Sequence, residues 1–290
     1  MQMIQYFIRI FKKENVPVWL LSYTIMSTSQ TTGLIELIPN AQSLDAMKKS
    51  DYWPGSLRAF FEKTYGPTDS TPFKEAIDAY ISSLAGYSVV CYILAIKDRH
   101  NGNIMMDNKG RLIHIDYGFV FGIAPGKKFS METAPWKLTE EMVEVRTNDN
   151  SMLSKVVYVY IIYICCLNFL QFVLLHVIMH THTCTRTQVM GGLNSPGYEK
   201  FVSLTTSALG AVRKYTNEFL GLMEILAFKS NYPAFSYNPN AMMDLRDRML
   251  PSVSDADLPA KVIEMMNKCY KHSGAIRYDK FQVLTNGIAR

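Results

Sequence analysis

Asp98-Arg99-His100-Asn101-Gly102-Asn103, followed at Asp116-Tyr117-Gly118 by a second acidic turn, is the stretch of sequence that decides the fold. Between the two turns lie short apolar runs, Ile104-Met105-Met106 and Leu112-Ile113-His114-Ile115, joined through Asp107-Asn108-Lys109-Gly110. That pattern predicts a tight β-hairpin, because Asn and Gly accept the backbone angles of a reversing chain. The hairpin carries Asn103 and Asp116 back to one end of the same ribbon. An amide oxygen and a carboxylate so placed suit Mg²⁺, a hard cation that takes oxygen ligands and retains its phosphates. Two rival readings stand beside this one. One is a polar hairpin that holds a His and two Asp by coincidence; the other is a hydrolase metal cage of His100, His114 and Asp116, although no further His or carboxylate cluster supports such a cage.

The rest of the chain bounds these readings. Its 290 residues are about half apolar, with a formal charge of +5. That mild excess favours an anionic partner, a membrane face or a nucleotide, and no nucleic-acid partner is expected. Only Cys91 and Cys269 lie outside residues 145–188, so no disulfide framework is expected and a reducing compartment is. Residues 1–10 lack the pattern of a secretory signal. A helix is predicted over 2–13, with Met3, Phe7, Ile10 and Phe11 on one face, followed by strand-like runs at 19–26 and 33–38. Thr71-Pro72 opens a long helix in which Phe73, Ile77, Tyr80, Leu84, Tyr87, Cys91 and Leu94 recur at helical spacing and belong to the core. Residues 118–138 form a polar loop, and from 198 onward the pattern is helical, with Ser254 and Asp257 as a capping box ahead of a helix over 260–271.

Protein kinases hold Mg²⁺ and orient a hydroxyl nucleophile with His-Arg-Asp, four residues and Asn, then an Asp-Phe-Gly turn. Asp98 and Asn103 have that separation, but the order here is Asp-Arg-His. The inverted order, together with Gly33-Leu34-Ile35-Glu36, Ser83-Leu84-Ala85-Gly86-Tyr87, His114-Ile115-Asp116-Tyr117-Gly118-Phe119 and Lys137-Leu138-Thr139, resembles the catalytic domain of the phosphatidylinositol 3/4-kinases. Val189-Met190-Gly191-Gly192-Leu193 and the ending 278–288 narrow the resemblance, being similar to the type III phosphatidylinositol 4-kinases of the beta form.

That resemblance implies an α+β, two-lobed, protein-kinase-like lipid kinase fold with an incomplete N-lobe and a mostly helical C-lobe. Residues 1–38 would be the remnant of the N-lobe and hinge, and 39–144 the C-lobe with its catalytic and activation loops. Residues 145–188 would be a hydrophobic insert, and 189–290 the helical remainder of the C-lobe. It further implies ATP and Mg²⁺ as cofactors, and transfer of the γ-phosphoryl to the 4-hydroxyl of phosphatidylinositol at a membrane surface. Location would be cytoplasmic and peripheral on Golgi or other endomembranes, with regulatory partners unspecified. His100 becomes the general base, a role suited to a near-neutral pKa. Asp98 becomes its electrostatic partner, Asn103 and Asp116 the Mg²⁺ ligands, and Glu36, Leu37 and Ile38 the hinge that meets adenine. Arg99 is either an ion-pair partner within the loop or a phosphate contact. The activation loop offers Lys127, Lys128 and Lys137, few cations for a head group already bearing phosphates, so unphosphorylated phosphatidylinositol is the expected substrate. Lys127 and Lys128 read equally as a solvated loop tip. Tyr117 stands where the family has Phe, and its hydroxyl needs a partner if buried.

Two features depart from the family. Residues 1–40 contain one glycine, Gly33, and only Lys12 and Lys13 as lysines. A kinase covers its phosphates with a Gly-rich loop and holds them with a strand lysine. The sequence therefore predicts a chain that starts beyond those strands and is, as written, a poor enzyme or none. Residues 156–179 carry no formal charge over 24 positions, long enough to span a bilayer at about 1.5 Å per residue. Deleting 145–188 joins Glu144 to Val189 in the string Glu-Met-Val-Glu-Val-Met-Gly-Gly, and the insert resembles a translated intron. The functional alternatives are a catalytically dead interaction fragment and a membrane-anchored protein built around this segment.

Overall fold

The computed structural model describes residues 1–29, 31–126, 130–143, 190 and 192–290. Lys127, Lys128 and the insert at 145–188 lie outside the described residues. So does the predicted membrane-length run at 156–179.

The molecule is built around α4 (Thr71–Ile93). Ser70 starts it by accepting the Phe73 N–H at 3.3 Å, and Pro72 occupies the first turn, where its missing donor costs nothing. The predicted stripe is buried along its length except Ile77, which is partly so, and from Ser83 to Cys91 the helix is buried on every side. By length and composition α4 is apolar enough to cross a membrane, yet most of it lies inside the protein. It serves as a central core helix.

α6 (Pro196–Arg213) lies along α4, with α3 (Leu57–Tyr65) beside them. α1 (Gln2–Lys13) spans the predicted residues and buries Met3, Ile4, Phe7, Ile10 and Phe11. Phe7 packs 4.8 Å from the ring of Phe219 on α7 (Thr216–Ala227). Each large apolar side chain so removed from water contributes about 1.5–3 kcal/mol before entropy is counted.

Two small antiparallel sheets complete the architecture. β1 (Ile25–Ser27) pairs with β2 (Gly33–Ile35), Ile25 opposite Ile35. β3 (Ala41–Ser43), β4 (Ile104–Asp107) and β5 (Leu112–His114) form the other, with Ala41 opposite Asp107 and Ile104 opposite His114. α2 (Leu44–Lys49) follows β3 directly. The predicted hairpin is thus present. Its turn is closed by the Asp107 carboxylate, which accepts the Lys109 and Arg111 N–H groups, each at 2.9 Å. Gly110 sits at φ +81°, and a Cβ there would stand 2.9 Å from the Phe61 ring, so glycine is required on both counts.

Three predictions need correction. The run at 19–26 becomes a strand only at Ile25, because its first half bonds to α4 instead of to a neighbouring strand. Trp19 N–H reaches Ser82 O, and Leu21 N–H reaches the Tyr87 hydroxyl at 3.2 Å. Likewise the second run pairs only over Gly33–Ile35. The described part of 118–138 is irregular but not simply polar, since Val120, Phe121, Ala134, Trp136 and Leu138 are buried and anchor it. The Ser254–Asp257 pair is reciprocal, with Ser254 Oγ donating to Asp257 at 2.6 Å and accepting the Asp257 N–H at 3.1 Å. It closes the turn before α10 (Leu258–Cys269), whose N-cap is Asp257 itself, with no side-chain cap bond. Beyond it, α5 (Glu140–Val143), α8 (Pro233–Tyr237), α9 (Ala241–Arg248) and the terminal α11 (Ser273–Asn286) complete the described helices.

Candidate active site

The floor of the site is a single 3₁₀ turn, Asn101–Asn103, leading into β4. His100 caps it, its Nδ1 accepting the Gly102 N–H at 3.1 Å. The open end of the hairpin returns to this turn, where Ile115 N–H donates to Asn103 O at 3.1 Å. Asp98 and Asp116 both adopt left-handed backbone, at φ +63° and +54°. Asp tolerates that region better than most residues, and such positions persist where surrounding bonds over-determine them. At Asp98 those bonds are visible. The Glu132 carboxylate accepts the N–H groups of Asp98 at 2.6 Å and Arg99 at 3.3 Å, and the Asn103 amide donates to Asp98 O at 3.0 Å.

Arg99 is almost fully buried and joins the two turns. Its guanidinium donates to the backbone oxygens of Lys97 at 2.9 Å, Asn103 at 3.5 Å and Ile115 at 2.7 Å, and to that of Asp116. Its partners are therefore carbonyls, where the sequence led us to expect an ion pair or a phosphate. The five donors of a guanidinium fit this work, tying the loop at residues 98–103 to the acidic turn.

Asn103 spends its amide nitrogen on Asp98, including a 3.2 Å bond to Oδ2, which leaves its carbonyl oxygen as the atom suited to a cation. Asp116 is exposed and uses Oδ1 to accept the Gly118 N–H at 3.0 Å, leaving capacity on its other oxygen. One carboxylate and one amide oxygen at the mouth of the hairpin fit Mg²⁺, which takes few protein ligands and keeps phosphate and water oxygens.

The hydrolase reading fails on His114. That ring is buried, stacked on Tyr87 at 4.5 Å and 9°, with Nδ1 3.4 Å from the Cys91 sulfur. Burial, with Arg99 and Lys137 adding to it, holds its pKa well below the usual 6.5. Among the described residues no cluster of three or more His, Cys, Asp and Glu is placed to hold a metal.

His100 Nε2 lies 3.7 Å from Asp98 Oδ1. Burial, aided by Lys137 and Arg99, draws the imidazole below its ordinary value, while the Asp98 carboxylate acts against it. A neutral ring follows at neutral pH, protonated at Nε2 towards Asp98 because Nδ1 is an acceptor. The Tyr117 hydroxyl, which the sequence left in need of a partner, donates to His114 O at 2.8 Å.

The hinge residues are differently placed. Glu36 and Leu37 are exposed and Ile38 partly so. Glu36 closes the ribbon onto Thr24, accepting the Thr24 N–H at 2.7 Å while its own N–H reaches Thr24 O at 2.9 Å. The Thr24 N–H first, and then the Thr24 side chain, lower the pKa of the Glu36 carboxyl. Lys137 is withdrawn from the activation-loop cations, since it is nearly buried in an ion pair with Asp279 at 2.7 Å.

Sequence reasoning missed Glu132 and Tyr278. The Tyr278 hydroxyl donates to Asp98 Oδ1 and accepts from Gln282 at 2.7 Å. Nothing around Glu132 marks it out, whereas Tyr278, Gln282 and Asn286 stand four apart on one helix, a signal that was legible.

A family model for phosphatidylinositol 3- and 4-kinase matches residues 1–187. Phosphatidylinositol 4-kinase PIK1 of Saccharomyces cerevisiae is 33% identical over 303 residues, covering 99% of this chain and 24% of the relative. Phosphatidylinositol 4-kinase beta 2 of Arabidopsis thaliana is 32% identical, with 99% and 22% covered. Phosphatidylinositol 4-kinase beta of Rattus norvegicus is 30% identical, with 96% and 28% covered. The chain spans about a quarter of the length of these curated relatives.

Proposed function

This chain belongs to the phosphatidylinositol 3- and 4-kinase family, and on that premise we propose that it transfers the γ-phosphoryl of ATP to the 4-hydroxyl of phosphatidylinositol. In this reading it forms the C-lobe of a two-lobed kinase, with a remnant of the N-lobe and hinge. The carrying observation is the joining of Asp98, His100, Asn103 and Asp116 on one Arg99-clamped floor.

Asn103 and Asp116 would hold Mg²⁺, which supplies charge neutralisation on the nucleotide phosphates. The protein's own groups do the rest. Asp98 keeps the Nε2 proton of His100, and Nδ1, exchanging the Gly102 N–H for the inositol hydroxyl, takes up the proton of the nucleophile. Asp98 then stabilises the imidazolium, which sets the division of labour between base and orienting carboxylate. Glu36, Leu37 and Ile38 offer backbone to the adenine ring. Lys127 and Lys128 remain as the loop cations for a lipid head group, and the withdrawal of Lys137 into its ion pair favours phosphatidylinositol without added phosphates. Such a substrate brings the protein to a membrane surface, and the family resemblance supports the cytoplasmic face of the Golgi or other endomembranes.

The test supplies the intact protein carrying this chain with Mg²⁺, ATP and phosphatidylinositol vesicles, and determines which inositol hydroxyl is phosphorylated. The 4-phosphate is expected. Phosphate at another position, or ATP turnover indifferent to lipid, would overturn the reading.

A further inference from the structure

We propose that a polar stripe on the terminal helix α11, Asn286, Gln282 and Tyr278, is a hydrogen-bond relay that positions the Asp98 carboxylate. The three residues are four apart, so they lie one above another on a single helix face. Asn286 Nδ2 donates to Gln282 Oε1 at 2.6 Å, Gln282 Nε2 donates to the Tyr278 hydroxyl at 2.7 Å, and that hydroxyl donates to Asp98 Oδ1.

The direction of the relay is fixed by the donors available. An amide hydrogen already occupies a lone pair of the Tyr278 oxygen, so its single proton goes to the carboxylate. Burial, followed by the bond to Asp98, raises the Tyr278 pKa, and the hydroxyl stays a donor at every working pH. Asp98 is therefore held at both oxygens, Oδ1 by Tyr278 and Oδ2 by Asn103 at 3.2 Å, while Glu132 fixes its backbone. A left-handed residue facing a catalytic imidazole needs such over-determination, because a small rotation of the carboxylate would lose His100.

The helix is itself anchored to the parts it serves. Asp279 pairs with Lys137 at 2.7 Å, and Asn101 Nδ2 donates to Ala289 O at 2.9 Å just beyond the helix end. Ala289 N–H in turn reaches Asp45 on α2 at 2.6 Å. Tyr278 touches no reacting atom in this arrangement and acts through Asp98, which makes it a positioning residue.

Tyr278→Phe removes the hydroxyl and keeps the ring, so it separates the relay from packing. In the intact protein we expect hydrogen exchange across residues 98–103 to quicken about fivefold with the thermal midpoint nearly unchanged. The kinetic arm rests on the kinase reading above. There kcat is expected to fall about tenfold, while KM for ATP stays within about twofold. Gln282→Leu should give a smaller loss, and the exposed Asn286→Ala a smaller one still. Unchanged exchange over 98–103 in Tyr278→Phe would overturn the relay. So would a loss of kcat matched by a general loss of stability, or faster exchange at undiminished kcat in an active kinase. If the unaltered protein fails to phosphorylate phosphatidylinositol, the kinase reading falls and exchange decides the relay by itself.

Discussion

The floor at residues 98–118 and the ribbon at residues 25–38 are both short and turn-rich, but they are held by different means. At the floor, bonds from far along the chain join those made within it. Glu132, Tyr278 and the buried Arg99 fix backbone and side chains together. The ribbon is held by its own strand pairs and by the Thr24–Glu36 closure, with Ile25, Leu34, Ile35 and Leu37 turned outward at 53%, 60%, 70% and 86% exposure. The contrast teaches that the floor is fixed by groups within this chain, whereas the ribbon presents apolar side chains and a backbone edge for whatever lies against it, adenine in the reading proposed here.

The sharpest way to break this contrast is Arg99→Met. It leaves the carbonyls of Lys97, Asn103, Ile115 and Asp116 without their donor, at about 1–3 kcal/mol for a buried unsatisfied group, and we expect a total of roughly 4 kcal/mol. Urea unfolding measures it. A loss under about 1 kcal/mol would mean that the floor does not depend on its clamp. His100→Ala comes next, with kcat falling about 10²-fold or more and ATP binding spared, since a base acts on the nucleophile. A raised KM for ATP at intact kcat would make His100 a nucleotide contact instead.

Acid provides the third test. The unfolded chain takes up a proton at His114 that the folded ring resists, so stability is flat above the ordinary pKa of 6.5 and falls as pH drops below it. The slope approaches about 1.4 kcal/mol per pH unit. Comparing unfolding at pH 7.5 and 5.5 between the natural protein and His114→Asn isolates this group, and equal slopes would contradict its buried neutral state. The smallest effect belongs to the ribbon, where Leu37→Ser should change stability by less than about 0.5 kcal/mol. A larger loss by thermal unfolding would show Leu37 packed.

Much of the floor was legible because its signals are local. The hairpin follows from Asp107-Asn108-Lys109-Gly110 and the flanking apolar runs, and the extents of α1 and α4 follow from periodicity and from Thr71-Pro72. The spacing from Asp98 to Asn103 and on to Asp116 singled out residues that the fold joins through Arg99. The groups that hold it were not legible for the same physical reason inverted. Glu132 stands 34 positions from Asp98, and Tyr278 stands 180 away, so only folding brings them into register. Arg99 was seen, but its role was mistaken, because a sequence displays charged side chains and not the backbone carbonyls that satisfied it. The early half of 19–26 misled for a related reason. Strand-like composition does not reveal that a helix has taken the backbone bonds.

The most direct measurement is lipid phosphorylation by the intact protein with Asp116→Asn, which keeps the shape of the side chain and removes its charge. Because Asp116 is exposed and the clamp grips its backbone oxygen, stability should hold while formation of phosphatidylinositol 4-phosphate falls about 10²-fold or more at saturating ATP and Mg²⁺. Undiminished product formation by a folded Asp116→Asn protein would contradict the assignment of this floor as the phosphoryl-transfer site.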